Sequence, residues 1–177
     1  LSVRESRGQK ADHGDEGNIL LEVKDATAAY GNGIVVLEDV DLALARGKTI
    51  AVVGESGSGK STLARVITGL LPPLKGAIEY QGEELPARYS DRDQDKLRRL
   101  QMIYQMPDVS LNPRQKVHEI LGRPLEFYFG MTGAKKDQRV LDLLAQIELP
   151  KRYKDRFPSE LSGGEKQRVC IARALAA

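Results

Sequence analysis

The sequence predicts an α/β fold on three observations: strand-like runs begin at Ile19, a glycine-rich turn joins an apolar run to an amphipathic helix, and helical spacing dominates the second half. Ile19 to Val23 and Val35 to Leu44 read as strands. In the second, Val40, Leu42 and Leu44 alternate with Asp41 and Ala43, the period of a half-buried strand.

Thr49 to Val53 is a short apolar run that ends in glycine, and beyond the turn Leu63, Val66, Ile67, Leu70 and Leu71 recur at helical spacing. This reads as strand, loop and helix, with Pro72 and Pro73 stopping the helix. Gly76 to Gly82 predicts another strand between glycines, Asp91 to Arg99 a solvated charged helix, and Met102 to Tyr104 a strand that ends near Gln105. Val117 to Leu121 and the set Val140, Leu141, Leu144 and Ile147 mark two helices with one apolar face each. The glycine-containing stretch from Gly130 to Gly133 separates them.

A composition of 41% hydrophobic and 29% charged residues is that of an ordinary globular core and argues against a disordered chain. The polar segment 1–17 reads as a tail or interdomain linker, and 18–177 as the folded part. The net charge of +2 is dispersed, so no nucleic-acid partner is expected and any phosphate affinity must be local. Cys170 is the single cysteine, which excludes an internal disulfide and suits a reducing compartment, with buried filler as its expected role. No apolar run reaches the roughly 20 residues that span a bilayer, so a membrane role would need a partner.

Gly54-Glu55-Ser56-Gly57-Ser58-Gly59-Lys60-Ser61-Thr62 satisfies GxxxxGKS, set between a predicted strand and a predicted helix. Glycines at 54, 57 and 59 let the backbone curl so that successive N–H groups form an anion nest, and the helix start adds its positive end. The motif predicts binding of ATP with Mg²⁺. Lys60 would meet the outer phosphates, the Ser61 hydroxyl would ligate Mg²⁺, and Thr62 would assist the inner phosphates.

A second glycine-rich helix start, Leu161-Ser162-Gly163-Gly164-Glu165-Lys166-Gln167-Arg168, precedes Val169, Ile171, Ala172 and Leu175. Ser162 and Glu165 have capping-box spacing, so a structural cap is one reading. Two glycines in the first turn do not serve a cap, since each costs up to about 1 kcal/mol relative to alanine in a helix. Their use is bare backbone that a phosphate can approach, which assigns Ser162, Gly163, Gly164 and Glu165 to nucleotide binding.

With both loops in hand, residues from about Ile19 onward resemble the ATP-binding subunit of ABC transporters, whose LSGGQ signature stands here as LSGGE. The resemblance implies a P-loop ATPase core of ABC type with N-terminal antiparallel strands and a helical subdomain at about 107–165. It also implies two such domains head to tail, the signature of one capping the γ-phosphate in the other, so that Lys60 and Ser162 act in hydrolysis. The separation of Gly54 from Leu161 fits a compact transporter domain and leaves no room for the long coiled-coil insertion of some relatives.

Gln105 matches the family's Q-loop glutamine, with a catalytic and Mg²⁺-contacting role; a polar strand end is the plain alternative. Tyr30, before Gly31-Asn32-Gly33, resembles the aromatic that stacks on adenine, although such a tyrosine also packs at domain edges. Ser110-Leu111-Asn112-Pro113-Arg114 resembles a segment of dipeptide and oligopeptide importers. Together these imply an ATPase working with transmembrane permease subunits at the cytoplasmic face of the cell membrane.

The family's later Asp-Glu strand end, D-loop and histidine do not occur in these 177 residues. Neither His13 nor His118 takes the histidine's place. The sequence therefore reads as part of an ABC ATPase, expected by itself to bind nucleotide better than it hydrolyses it and, lacking strands of a parallel sheet, to associate or be marginally stable. Two alternatives stand beside this: a non-hydrolysing nucleotide-binding module, and a soluble ABC protein of translation or DNA repair.

Overall fold

The computed structural model describes residues 18–31 and 33–177; the tail assigned to 1–17, with His13, lies outside the described residues, as does Asn32. The chain divides into two compact units, Leu1–Asp93 and Gln94–Ala177.

The first unit carries an antiparallel sheet of order β2-β1-β3-β4, formed by β1 (Ile19–Ala29), β2 (Val35–Ala45), β3 (Lys75–Tyr80) and β4 (Glu83–Glu84). Val23 sits at its centre, paired with Leu42 on one side and Ile78 on the other. β1 is longer than its alternation suggested, because the buried set Leu21 and Val23 resumes one residue out of phase at Ala26 and Ala28. The extra residue is a β-bulge: Asp25 takes φ +48°, and its N–H donates to the Asp41 carboxylate at 2.8 Å.

Opposite the bulge, Gly76 has φ +87°, and a Cβ there would lie 2.3 Å from the Lys24 carbonyl oxygen and 2.5 Å from that of Asp25. Both atoms are backbone and neither can yield cheaply. Gly76→Ala is expected to destabilise the fold by about 2 kcal/mol or more. An unchanged urea midpoint for this variant would show that the bulge relaxes freely.

Helix α1 (Lys60–Ile67) buries Thr62, Leu63 and Val66. It ends earlier than predicted, since Gly69 at φ +75° provides the left-handed stop before Leu70, Leu71 and the prolines. The Arg92 guanidinium, 5% exposed, secures that end by donating to the carbonyls of Ile67 at 2.7 Å and Pro86 at 2.9 Å.

Two predicted strands do not form. Residues 49–53 and 102–104 pair with no strand among the described residues. Ile50, Val52, Val53 and Ile103 are left exposed, at 41, 47, 76 and 42%. An apolar run on both faces is the mark of a central parallel strand, and such a strand exists only where neighbours lie beside it.

The second unit is helical: α2 (Gln94–Arg99), α3 (Val117–Phe129), α4 (Gly133–Gln146) and α5 (Gly163–Leu175). Leu121, Leu125, Leu143, Leu144 and Val169 are fully buried in one core shared by α3, α4 and α5. Gly130, at φ +61°, ends α3 in the left-handed conformation. Cys170 is buried in that core with the Ser110 hydroxyl 3.1 Å from its sulfur, the filler role expected of it.

Candidate functional site

In the first unit the loop before α1 curls through left-handed glycines, Gly57 at φ +84° and Gly59 at φ +94°. Gly59 is doubly constrained, because a Cβ would stand 2.7 Å from Leu37 Cδ2 and 3.1 Å from the Val36 carbonyl oxygen. The loop is thereby seated against β2. Gly57 faces open space, so its backbone is approachable from outside.

The Lys60 ammonium reaches back over the loop. It donates to the carbonyls of Gly54 at 2.8 Å and Glu55 at 2.6 Å, and to Ser58 Oγ at 3.3 Å. These partners are neutral oxygens, so the bonds orient the cation without cancelling its charge. Glu55, Ser56 and Ser61 are exposed along the loop, whereas Thr62 is 4% exposed on the inner face of α1.

This donor set fits a magnesium nucleotide: an open glycine backbone, a held ammonium and the exposed Ser61 hydroxyl at a helix start. Among the described residues no group of three or more His, Cys, Asp or Glu gathers to hold an ion. Ser61 would therefore share the metal with water and phosphate oxygens.

Tyr30 lies in the turn between β1 and β2, fixed by hydrogen bonds from its N–H to Ile34 O at 3.2 Å and from Gly33 N–H to its own carbonyl at 2.8 Å. Its hydroxyl is 3.2 Å from Thr62 Oγ1 and accepts from Arg65 Nη1 at 3.0 Å. The structure thus brings Tyr30 to α1.

In the second unit Ser162 is the N-cap of α5, and the capping box is formed in full. The Glu165 carboxylate accepts from Ser162 N–H at 2.8 Å, Ser162 Oγ at 2.9 Å and Tyr153 Oη at 2.7 Å. These bonds, the one from Tyr153 foremost, bring its pKa down to about 2. The carboxylate is thus engaged by its own cap.

A carboxyl whose pKa is depressed on folding stabilises the fold above its unfolded value and loses that contribution as pH falls toward 2. Glu165→Gln is accordingly expected to flatten the acid limb of the stability profile between about pH 4.5 and 2. Identical acid limbs for the two proteins in thermal melts would contradict this.

Among the described residues nothing explains Gly163 and Gly164. Neither has a positive φ, and a Cβ at either would meet no heavy atom within 4 Å. Side chains could be accommodated at both positions.

Gln105 is exposed at a bend, and the segment around it is stitched to α5. Gln167 Nε2 donates to the Tyr104 carbonyl at 3.4 Å, Lys166 pairs with Asp108 at 2.6 Å, and Arg173 donates to the Ser110 carbonyl at 2.5 Å. Sequence reading missed these tethers, and it missed Tyr153 and Arg65, because their partners are remote in sequence. His118 lies with Nδ1 3.2 Å from the Lys154 carbonyl oxygen, a packing contact.

Residues 37–177 match the family described as ABC transporter. The chain belongs to that family. It carries the ATP-binding domain of an ABC transporter, and among its relatives is a nickel import ATP-binding protein, NikE, of Brucella suis, 40% identical over 143 residues, 80% of this chain and 53% of that protein. The dipeptide transport ATP-binding protein DppF of Haemophilus influenzae is 38% identical over 153 residues, 86% of this chain and 47% of that protein. The chain therefore spans about half the length of these relatives.

A solved structure described as a dimeric, post-hydrolysis state of the ATP-binding cassette MJ0796 bound to ADP and Pi superposes with a TM-score of 0.75 at 32% identity, covering 89% of this chain and 69% of that one. The α/β fold of an ABC ATP-binding domain follows. No helix among the described residues is long and apolar enough to cross a membrane.

Proposed function

We propose that the chain binds Mg·ATP in the loop from Gly54 to Thr62 and supplies half of a composite site closed by a second ABC ATP-binding domain. The glycine pair of the ABC signature carries this reading. Gly163 and Gly164 keep bare backbone where neither φ nor packing requires it, so the requirement is external. A phosphate held by the opposite domain meets that description, and the dimeric state named for the MJ0796 structure supports it.

Bound at the loop, Mg·ATP supplies a phosphoryl group already partly neutralised by metal. Lys60 holds the outer phosphate oxygens, the glycine N–H groups cradle the rest, and Ser61 orients the metal. Tyr30 offers its ring to adenine. Gln105, whose neighbours are tethered to the signature helix, takes the family's Q-loop role toward metal or attacking water, and Ser162 meets the γ-phosphate of the opposite site.

In the parent protein this arrangement powers import of a solute through transmembrane permease subunits at the cytoplasmic membrane face. The name of the Brucella relative supports import, and Ser110 to Arg114 together with the Haemophilus name favours peptides. Titration of the chain with ATP and Mg²⁺ tests the binding step, and absence of saturable binding would remove it. For the substrate, a strain lacking the gene should lose dipeptide uptake; loss of nickel uptake alone would overturn the peptide reading.

A further inference from the structure

We infer that Arg65 is a positioning residue that sets nucleotide specificity by pinning the Tyr30 ring to the helix that begins at the phosphate loop. The inference rests on the proposal that this loop binds ATP. Tyr30 Oη is held at two points, by Thr62 Oγ1 at 3.2 Å and Arg65 Nη1 at 3.0 Å. Thr62 and Arg65 are three residues apart on α1, and so share one face of that helix.

Two anchors on a rigid element fix the direction of the ring as well as its place. Tyr30 is 36% exposed, leaving a surface that a base can cover. The Arg65 guanidinium carbon stands 6.0 Å from the ring centroid, at the outer limit of a cation–π contact, so the hydrogen bond is its principal hold.

The consequence is a ruler. Lys60, Ser61 and Thr62 open α1 and Arg65 lies in its last turn, so a single helix sets the spacing between the phosphate cradle and the base platform. A ligand that has both triphosphate and base gains from the pinned ring; a bare triphosphate does not. Preorganising the ring spares ATP the cost of ordering it on binding.

The test compares ATP with inorganic tripolyphosphate on the full chain, each with Mg²⁺, by calorimetric titration. Arg65→Met removes the donor, and Tyr30→Phe keeps the ring while removing the anchored hydroxyl. Tyr30→Phe, which drops both anchors, is expected to weaken ATP binding about fivefold, Arg65→Met by no more than that, and the double variant no further than Tyr30→Phe, since Arg65 acts through that hydroxyl. Tripolyphosphate affinity should change less than twofold.

Equal losses for both ligands would make Arg65 a mere support of α1 and overturn the inference, as would unchanged ATP affinity or multiplicative losses in the double variant. If Arg65→Met fails to fold, Arg65→Gln, a polar side chain too short to keep the bond to the Tyr30 hydroxyl, takes its place with the same expected outcomes. A wild-type chain that binds neither ligand would overturn the ATP-binding proposal and the inference with it. Wild-type binding with silent variants overturns the inference alone.

Discussion

Gly164→Leu in the parent protein is expected to lower steady-state ATP hydrolysis about a hundredfold while leaving the ATP affinity of the single domain within twofold. Both halves of that result follow from the surroundings of Gly164. A Cβ there meets nothing within 4 Å, so a side chain can start from this position without a clash. Leucine is also the better helix former, by up to about 1 kcal/mol, and the thermal midpoint should hold or rise.

A variant that is as stable as wild type, binds ATP and does not turn it over places the defect outside the domain's own loop. That is the expected mark of a residue whose partner is the phosphate of another copy. Phosphate release, ATP titration and thermal melting, measured together, check it. Parallel loss of binding and hydrolysis would instead put the signature in the same site as the loop and sink the composite arrangement.

Lys60→Met should weaken ATP binding by about ten- to a hundredfold, the loss of a charge-assisted hydrogen bond worth about 1.5–3 kcal/mol. The bonds of Lys60 to Gly54, Glu55 and Ser58 sharpen this expectation. In the free loop the ammonium ties the two ends of the curl together, so methionine removes both the charge and the tie. Stability should change by less than about 1 kcal/mol, because the partners are carbonyls and a hydroxyl on a largely exposed loop that water can reach. Unchanged affinity, measured by titration at fixed Mg²⁺, would take the outer phosphates away from Lys60.

The two glycine-rich starts were legible because each packs its chemistry into fewer than ten consecutive residues. A nest of N–H groups is a local object, and so is a capping box; α1 opens at Lys60 and α5 at Gly163, each at its motif. The longer β1 was hidden by a single residue. Asp25 shifts the alternation, and Ala26 and Ala28 lack the bulk that usually announces a strand.

The runs at 49–53 and 102–104 show the opposite case. Their composition states a preference for a buried parallel sheet, but a strand is a relation between segments, and among the described residues these runs have no partner. Similarly, α1 stops at Gly69 because backbone conformation ends a helix before any later proline can.

Sequence by itself determined the family, the glycine-rich turn before α1 and the capping box that opens α5, since these depend on residue type at short, fixed spacing. Tertiary structure alone decided that Tyr30 hangs from Arg65, that Glu165 is engaged by Tyr153 and its own cap, and that α5 tethers the segment after Gln105. Such contacts join positions dozens of residues apart or turn on the direction of one side chain. Only the folded chain brings them within hydrogen-bonding distance.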